Sequence, residues 1–233
     1  MATQKRDQPV ETPNGVGSVG EEHEDHLERS RAVWDRWSDH YGMSEKDFEP
    51  IRERAIDQLA LEPGDRVLDV GCGPGVNFER IRNEIGADGE LVGVDYSPGM
   101  LENARTRIEK HGWKNVRVRR ADATTAEFDA PFDAALATLS LSVMPDVRRA
   151  TETVHRSLVP GARFAVVDVR PVPSGPARVL NPLIWRFFRW YANWNPDGDV
   201  MDSIDAVFDD FEIVDTAFAG TAYAAICSKR NGD

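Results

Sequence analysis

Residues 65–78, DRVLDVGCGPGVNF, place an apolar run, an acid and three alternating glycines next to one another. Glycine adopts positive φ angles at little steric cost and lets the backbone approach a ligand closely. Gly71, Gly73 and Gly75 follow the apolar run and lead into a helical pattern, where free backbone N–H groups can face an anion. The stretch predicts a buried strand that ends in a nucleotide-binding turn.

The spacing of the glycines separates this turn from two common nucleotide motifs. A dinucleotide fingerprint, G-x-G-x-x-G, needs a small residue at position 76, but the chain has Val76 there. The phosphate-binding pattern G-x-x-x-x-G-K-[ST] is also absent from the sequence. A nicotinamide cofactor is therefore disfavoured.

Beyond the turn, short apolar runs alternate with helical patterns near 76–86, 98–111 and 146–158. We predict strands at 66–70, 90–95, 116–121, 132–139, 162–169, 211–218 and 222–228. This alternation is typical of right-handed strand-helix-strand units, whereas the last two strands are too close in sequence for a crossover. The prediction is an α/β fold: a Rossmann-like, mostly parallel sheet of seven strands, with helices on both faces and an antiparallel C-terminal hairpin.

Two stretches with helical spacing, 27–42 and 50–61, precede the first strand. Residues 1–26 carry almost no large apolar side chain, so we expect a disordered acidic tail there. The rest, 27–233, is predicted to be one domain in which 171–201 forms an aromatic lid or insertion.

Acidic residues number 40 against 28 lysines and arginines, which gives a net charge of −12 and argues against a nucleic-acid partner. Lysines are few among the basic residues, and this imbalance resembles proteins of halophilic organisms. Cys72 and Cys227 fit neither a disulfide framework nor a metal site. With no signal peptide or membrane span in the sequence, we expect a cytoplasmic protein.

Two acids stand at the ends of the next two predicted strands. Asp95 comes 20 residues after Gly75, where a carboxylate can accept both hydroxyls of a ribose. Asp122 closes the third strand, where it can accept from an exocyclic amine while Ala123 leaves room for a ring. Together with the glycine turn after the first strand, these two acids at successive strand ends predict a binding site for an adenosine cofactor.

The segments VLDVGCGPG, GVDYSPGMLENAR, ADA, FDAALATLSLSVMPD and RSLVPGARFAVVD resemble, in order and spacing, the class I S-adenosylmethionine (SAM)-dependent methyltransferases. The resemblance covers about residues 45–170. It departs from the commonest family pattern at Gly161-Ala162 and at Ser142-Val143, where a glycine pair and a histidine pair are usual.

The resemblance implies a role for each matching residue. The aminoacyl end of SAM would be surrounded by Asp69, Gly71, Cys72, Gly73 and Gly75. The ribose and adenine would contact Asp95, Tyr96, Met100, Asp122 and Ala123. The floor near the sulfonium would be formed by Ala137, Thr138 and Leu139.

Methyl transfer from SAM is an in-line displacement that needs few catalytic side chains, although some acceptors require a base. His40 and Tyr41, on the helix before the sheet, are the candidates for the catalytic role.

The segment between the fifth strand and the final hairpin holds six aromatic residues within ten positions, 185–194, together with Arg186 and Arg189. It could form a lid over a hydrophobic acceptor, a peripheral membrane contact, or core packed against Trp34 and Trp37. The arrangement is similar to ubiquinone and menaquinone C-methyltransferases and to phospholipid N-methyltransferases. We therefore expect a small, lipophilic acceptor such as a quinone precursor or a lipid.

Three alternatives stay open at the level of the sequence: a methyltransferase of a small soluble metabolite, a nicotinamide-dependent oxidoreductase, and a binding or scaffold protein. The oxidoreductase would need a hydride-transfer pair such as Tyr-x-x-x-Lys, which we do not recognise. For a scaffold protein, an intact cofactor edge would have no purpose.

Overall fold

A computed structural model describes residues 19–38, 46–195 and 198–230. The helices are α1 (Val19–Trp37), α2 (Glu49–Leu59), α3 (Phe78–Ile85), α4 (Pro98–His111), α5 (Val147–Ser157), α6 (Asn181–Ala192) and α7 (Val200–Asp205). The strands are β1 (Arg66–Val70), β2 (Glu90–Asp95), β3 (Val116–Arg120), β4 (Phe132–Thr138), β5 (Leu158–Val169), β6 (Asp210–Ala217) and β7 (Ala222–Ser228).

The strands form one sheet in the order β3-β2-β1-β4-β5-β7-β6. The first five strands of this order are parallel. β7 lies antiparallel between β5 and β6. The predicted α/β fold with an antiparallel hairpin is confirmed, and the main difference in bounds is that β5 begins at Leu158, earlier than the predicted 162.

Helices cover both faces of the sheet, which is why the central strands consist almost entirely of apolar residues. On one face, α5 and α7 pack on side chains such as Leu68 and Phe164. On the other face, α2, α3 and α4 pack on side chains such as Val67 and Leu136. Alternate residues of each strand therefore belong to different cores, and the carboxyl edge of the sheet is where an open α/β fold binds its ligand.

Local signals in the sequence set the bounds of α4. Ser97 precedes Pro98, and the Ser97 side chain accepts a hydrogen bond from the backbone N–H of Met100 over 3.1 Å. Gly112 ends the helix in a left-handed conformation with φ +66°. The helix thus starts directly after β2 and points its N-terminus toward the carboxyl edge of the sheet.

The N-terminal helix begins earlier than the sequence indicated. We expected disorder up to residue 26, but α1 starts at Val19, so 19–26 are helical. Two polar side chains hold this part of the helix: His23 Nε2 lies 2.9 Å from Asp122 Oδ2, and His26 Nε2 lies 2.9 Å from the carbonyl oxygen of Val143. The expectation relied on apolar burial and missed these polar contacts.

Among the described residues, no helix combines the length and the apolar character that a bilayer crossing requires.

Candidate active site

A cavity lies at the carboxyl edge of the sheet. Its volume is about 740 Å³ when the open solvent at its mouth is included. It is bounded by the turns after β1, β2, β3 and β4 and is covered by α1. Nine residues predicted from the sequence line it: Gly71, Gly73, Asp95, Tyr96, Met100, Asp122, Ala123, Thr138 and Leu139. The predicted strand-end residues therefore meet in one site.

Four predicted residues lie behind this lining instead. The Asp69 carboxylate and Ala137 are buried within the sheet. Cys72 is buried near Gly93, whose position could not hold a side chain because a Cβ would lie 2.8 Å from Cys72 Sγ. Gly75, with φ +77°, allows the ring of Phe78 to pack against the turn. These residues shape the turn without forming the cavity wall.

The glycine turn is held close to the loop that follows β4. A Cβ on Gly71 would lie 2.4 Å from Ser140 Cβ, and the φ of Gly71 is +65°. The hydroxyl of Ser140 donates to the carbonyl oxygen of Val70 over 2.8 Å. Only glycine fits at position 71, because both the left-handed backbone and the close approach exclude a side chain.

Asp95 connects the end of β2 to the glycine turn. Its Oδ2 accepts from the backbone N–H of Gly73 over 2.9 Å, and its Oδ1 accepts from the backbone N–H of Ser97 over 2.8 Å. Burial raises the pKa of Asp95, while these backbone hydrogen bonds oppose the rise. Each carboxylate oxygen can accept a second hydrogen bond, so the side chain still has acceptor capacity facing the cavity.

Asp122 turns the chain after β3 in a similar way. Its Oδ1 accepts from the Thr124 backbone N–H over 2.9 Å, and its Oδ2 accepts from the Thr124 hydroxyl over 2.8 Å. His23 of α1 contacts the same Oδ2. The carboxylate thus fixes the loop at the cavity rim and also holds α1, which we call the cap helix.

Two buried acids support the cavity from below. Asp69 Oδ2 accepts from Asn77 Nδ2 over 3.2 Å, and the same amide donates to the Thr138 hydroxyl over 3.0 Å. Burial raises the pKa of Asp69 to about 7. Asp168 accepts from both the backbone N–H and the hydroxyl of Ser142, and burial raises its pKa to about 6. These contacts fix the loops after β1 and β4 that carry the lining residues.

Helix α1 forms the cover of the cavity, and the residues by which it lines the cavity were missed by sequence reasoning. Leu27, Ser30, Arg31 and Trp34 line the cavity from one side of the helix. Their spacing of three and four residues is the signal that could have identified a ligand-facing side. Further lining residues that were not predicted are Val94, Ser97, Ala121, Ser140, Val143, Met144 and Pro145.

The two catalytic candidates, His40 and Tyr41, lie outside the described residues, in the interval between Ser38 and Lys46.

Residues of the aromatic segment line part of a second cavity, which is an open groove. This groove measures about 1180 Å³ with its open side included, and it lies beyond the end of β5 and the start of β7. It is lined by Asp47, Phe48, Val169, Leu180, Leu183, Ile184, Phe187, Phe188, Phe218, Thr221 and Ala222. No residue of α6 is fully buried, although Tyr191 packs on Trp37 with ring centroids 4.8 Å apart. Helix α6 is therefore neither simple core nor part of the wall of the first cavity, whereas Trp194 just after it is buried.

Comparison of the sequence with known proteins finds methyltransferases, in agreement with the resemblance described above. The family model of a methyltransferase domain matches residues 61–209. A 2-phytyl-1,4-naphtoquinone methyltransferase of Nostoc sp. is 30% identical over 167 residues, which cover 71% of this chain and 69% of the relative. An aklanonic acid methyltransferase of Streptomyces sp. is 34% identical over 119 residues, which cover 51% of this chain and 54% of the relative.

The fold has close structural counterparts as well. The N-methyltransferase of Haemonchus contortus solved with phosphomonomethylethanolamine and S-adenosylhomocysteine has a TM-score of 0.66 at 16% identity, covering 87% of this chain and 60% of that one. This chain thus spans between about half and about two thirds of the length of these relatives. The family match over more than half of the chain, on a fold of this type, shows that the chain belongs to the class I S-adenosylmethionine-dependent methyltransferases.

Proposed function

We propose that the chain transfers the methyl group of SAM to a small lipophilic acceptor of the quinone-precursor or lipid type. Its family establishes that it is a SAM-dependent methyltransferase and not the nicotinamide-dependent oxidoreductase that the sequence left open. The residues that hold SAM and the nature of the acceptor are the proposed part.

In this proposal SAM occupies the first cavity. Asp95 accepts the ribose hydroxyls with its remaining lone pairs, and Asp122 accepts from the adenine amine. Tyr96, Met100 and Ala123 contact the adenine. Gly71 and Gly73 approach the aminoacyl end, with Thr138 and Leu139 on the floor.

The turn fits such a group for a steric reason. A Cβ on Gly73 would meet no heavy atom of the described chain within 4 Å, so the backbone at this position faces open space. Asp69, Cys72, Gly75 and Ala137, which the resemblance also assigns to the cofactor, support the turn and the floor from behind the lining in this proposal.

Bound SAM supplies an activated methyl group on a cationic sulfur, and the protein aligns the acceptor and excludes water. Leu27 and Trp34 of α1 place apolar surface over the cavity and can carry out this exclusion. His40 and Tyr41 remain our candidates for a base, and the test of that role is the pH profile of methyl transfer by the variants His40→Ala and Tyr41→Phe.

The apolar lining of the groove is the observation that carries the proposal of a lipophilic acceptor. All its lining residues except Asp47 and Thr221 are apolar. Concave, mostly apolar surfaces of this kind bind the hydrophobic parts of ligands. Both cavities lie at the carboxyl edge of the sheet. An acceptor whose apolar tail occupies the groove would therefore bind at the same edge as the cofactor. Relatives named for phytylated and demethylated quinones agree with this class of acceptor.

The test compares methyl transfer from labelled SAM to a prenylated naphthoquinol and to the same ring without its prenyl chain. We expect a higher kcat/KM for the prenylated compound. The variant Phe218→Ala removes an exposed ring from the groove and should raise KM for the prenylated acceptor only. Equal kcat/KM for the two acceptors in the unmodified enzyme would favour a small soluble metabolite instead.

A further inference from the structure

The outer side of α6 exposes a continuous row of large apolar side chains. Leu183, Phe187 and Trp190 are spaced by four and three residues and are 68%, 51% and 71% exposed. Val179 and Leu180, in the short 3-10 helix before α6, are 79% and 50% exposed. We call these five residues the α6 apolar face. Soluble monomers rarely expose a contiguous apolar patch of this kind without a partner.

The charge around this face is opposite to that of the whole chain. Residues 170–196 contain four arginines and neither aspartate nor glutamate, whereas the chain carries a net charge of −12. Arg178, Arg186 and Arg189 are all exposed. At 100° per residue, Arg186 and Arg189 lie on one flank of the apolar face. The other flank, with Ile184 and Phe188, lines the groove.

We propose that the α6 apolar face docks on a lipid bilayer that carries anionic headgroups. The apolar side chains enter the boundary between headgroups and acyl chains, and the arginines contact the headgroup anions. This combination of apolar face and flanking arginines suits an anionic bilayer. A second copy of the chain fits less well, because two-fold packing of this face on itself would bring the arginines of both copies together.

Docking on a bilayer rests on the proposed function in one respect, which is the entry of a lipophilic acceptor into the groove. Leu180, Leu183 and Phe187 belong to both the apolar face and the groove, so a docked helix would place the groove beside the acyl chains from which a lipophilic acceptor enters. Lipid binding itself can be measured without SAM and without an acceptor.

The experiment is sedimentation of the full chain with vesicles of phosphatidylcholine alone and with vesicles that also contain phosphatidylglycerol. We expect binding to the anionic vesicles, weakened by added salt. The double variant Arg186→Gln/Arg189→Gln should bind them about 30-fold less, at roughly 1 kcal/mol for each arginine near an anionic surface. Val179→Gln/Trp190→Gln, which changes neither cavity, should bind at least about tenfold less.

A matched control removes the same charge elsewhere. Arg105→Gln/Arg148→Gln alters two exposed arginines on α4 and α5 and should bind anionic vesicles like the unmodified chain. Equal loss in this control, or full binding by Val179→Gln/Trp190→Gln, would overturn the proposal. So would a lipid-free dimer that Val179→Gln/Trp190→Gln dissociates, since the face would then belong to a second copy.

Bilayer docking and methyl transfer to a lipophilic acceptor can be refuted independently of each other. Val179→Gln/Trp190→Gln should keep its affinity for SAM and its methyl transfer to an acceptor dispersed in detergent. Vesicle binding without any such transfer would contradict the proposed acceptor and leave the docking surface standing.

Discussion

Asp35 of α1 accepts a hydrogen bond from the hydroxyl of Ser97 over 2.5 Å. The same Oδ1 accepts from the backbone N–H of Gly99 over 3.1 Å, and Arg31 donates to Oδ2 over 3.0 Å. Burial raises the pKa of Asp35, but these hydrogen bonds more than offset it and leave the pKa below its usual value. The cap helix is thus fastened to the N-terminus of α4, where a carboxylate is favoured by the helix dipole.

Replacing Asp35, which does not itself line the cavity, should loosen the attachment of α1 to α4. In Asp35→Ala we expect faster hydrogen exchange in 27–37 and SAM dissociation faster by about tenfold or more, since charge-assisted hydrogen bonds contribute about 1.5–3 kcal/mol. Exchange mass spectrometry and stopped-flow release of SAM measure both effects. Asp25→Ala, an exposed position on the same helix, is the control and should change neither. Unchanged exchange in Asp35→Ala would refute this role.

Asp95→Ala should weaken SAM binding by about 1–3 kcal/mol, because it removes the acceptor proposed for the ribose hydroxyls. Isothermal titration with SAM measures the loss. Asp205→Ala, at an exposed position on α7, serves as the control and should bind SAM normally. An affinity for SAM that does not change in Asp95→Ala would remove Asp95 from the proposed site.

Gly71→Ala and Gly112→Ala form a matched pair. Their φ angles are +65° and +66°, but a Cβ would collide with Ser140 only at position 71, whereas at position 112 it meets nothing within 4 Å. We expect Gly112→Ala to lower the free energy of unfolding by about 1–2 kcal/mol, and Gly71→Ala to lower it by about 1–3 kcal/mol more. Denaturant titration gives both values. Equal losses would show that the close approach of the two loops is not tight.

Asp69 predicts a dependence of stability on pH. Burial raises its pKa to about 7 from the ordinary 3.8, so the folded chain holds the proton more tightly than the unfolded chain. The contribution of Asp69 to the free energy of unfolding therefore falls as pH rises from about 4 to above 7. Asp69→Asn cannot ionise and should lose about 2 kcal/mol less than the unmodified chain between about pH 5 and about pH 8.

Denaturant titrations at several pH values provide the measurement for Asp69. Asp205→Asn should follow the unmodified chain, because this side chain is exposed on α7. If Asp69→Asn and the unmodified chain show parallel pH profiles, Asp69 ionises at the same pH in the folded and the unfolded chain.

The sequence predicted the sheet well because its signals are local. The runs of β1 and β2 are richer in buried apolar residues than the segments on either side, and the glycines at 71, 73 and 75 mark where the chain turns. Asp95 and Asp122 were found because parallel strands bring their carboxyl ends to one edge. These two residues and the turn needed no knowledge of distant contacts.

The rest of the site depends on contacts between distant parts of the chain. Val143 lines the cavity because the loop that carries it is fixed by hydrogen bonds from Ser142 to Asp168, which lies 26 residues later in the sequence. Asp69 was assigned to the ligand, yet its partner Asn77 lies in the buried core and was not foreseen. The start of α1 depends on a pairing between His23 and Asp122, which are 99 residues apart. Neither periodicity nor spacing along the sequence reports such pairs.

The position of β7 between β5 and β6 has a consequence for synthesis of the chain. The ribosome synthesises β5 and β6 before β7, yet among the described strands β6 pairs only with β7, and β5 pairs with β7 on one of its two sides. A nascent chain that has released residues up to 217 therefore carries an open hydrogen-bonding edge on β5, the kind of edge that recruits foreign strands. Premature termination before residue 222 should yield aggregates and not a shortened enzyme.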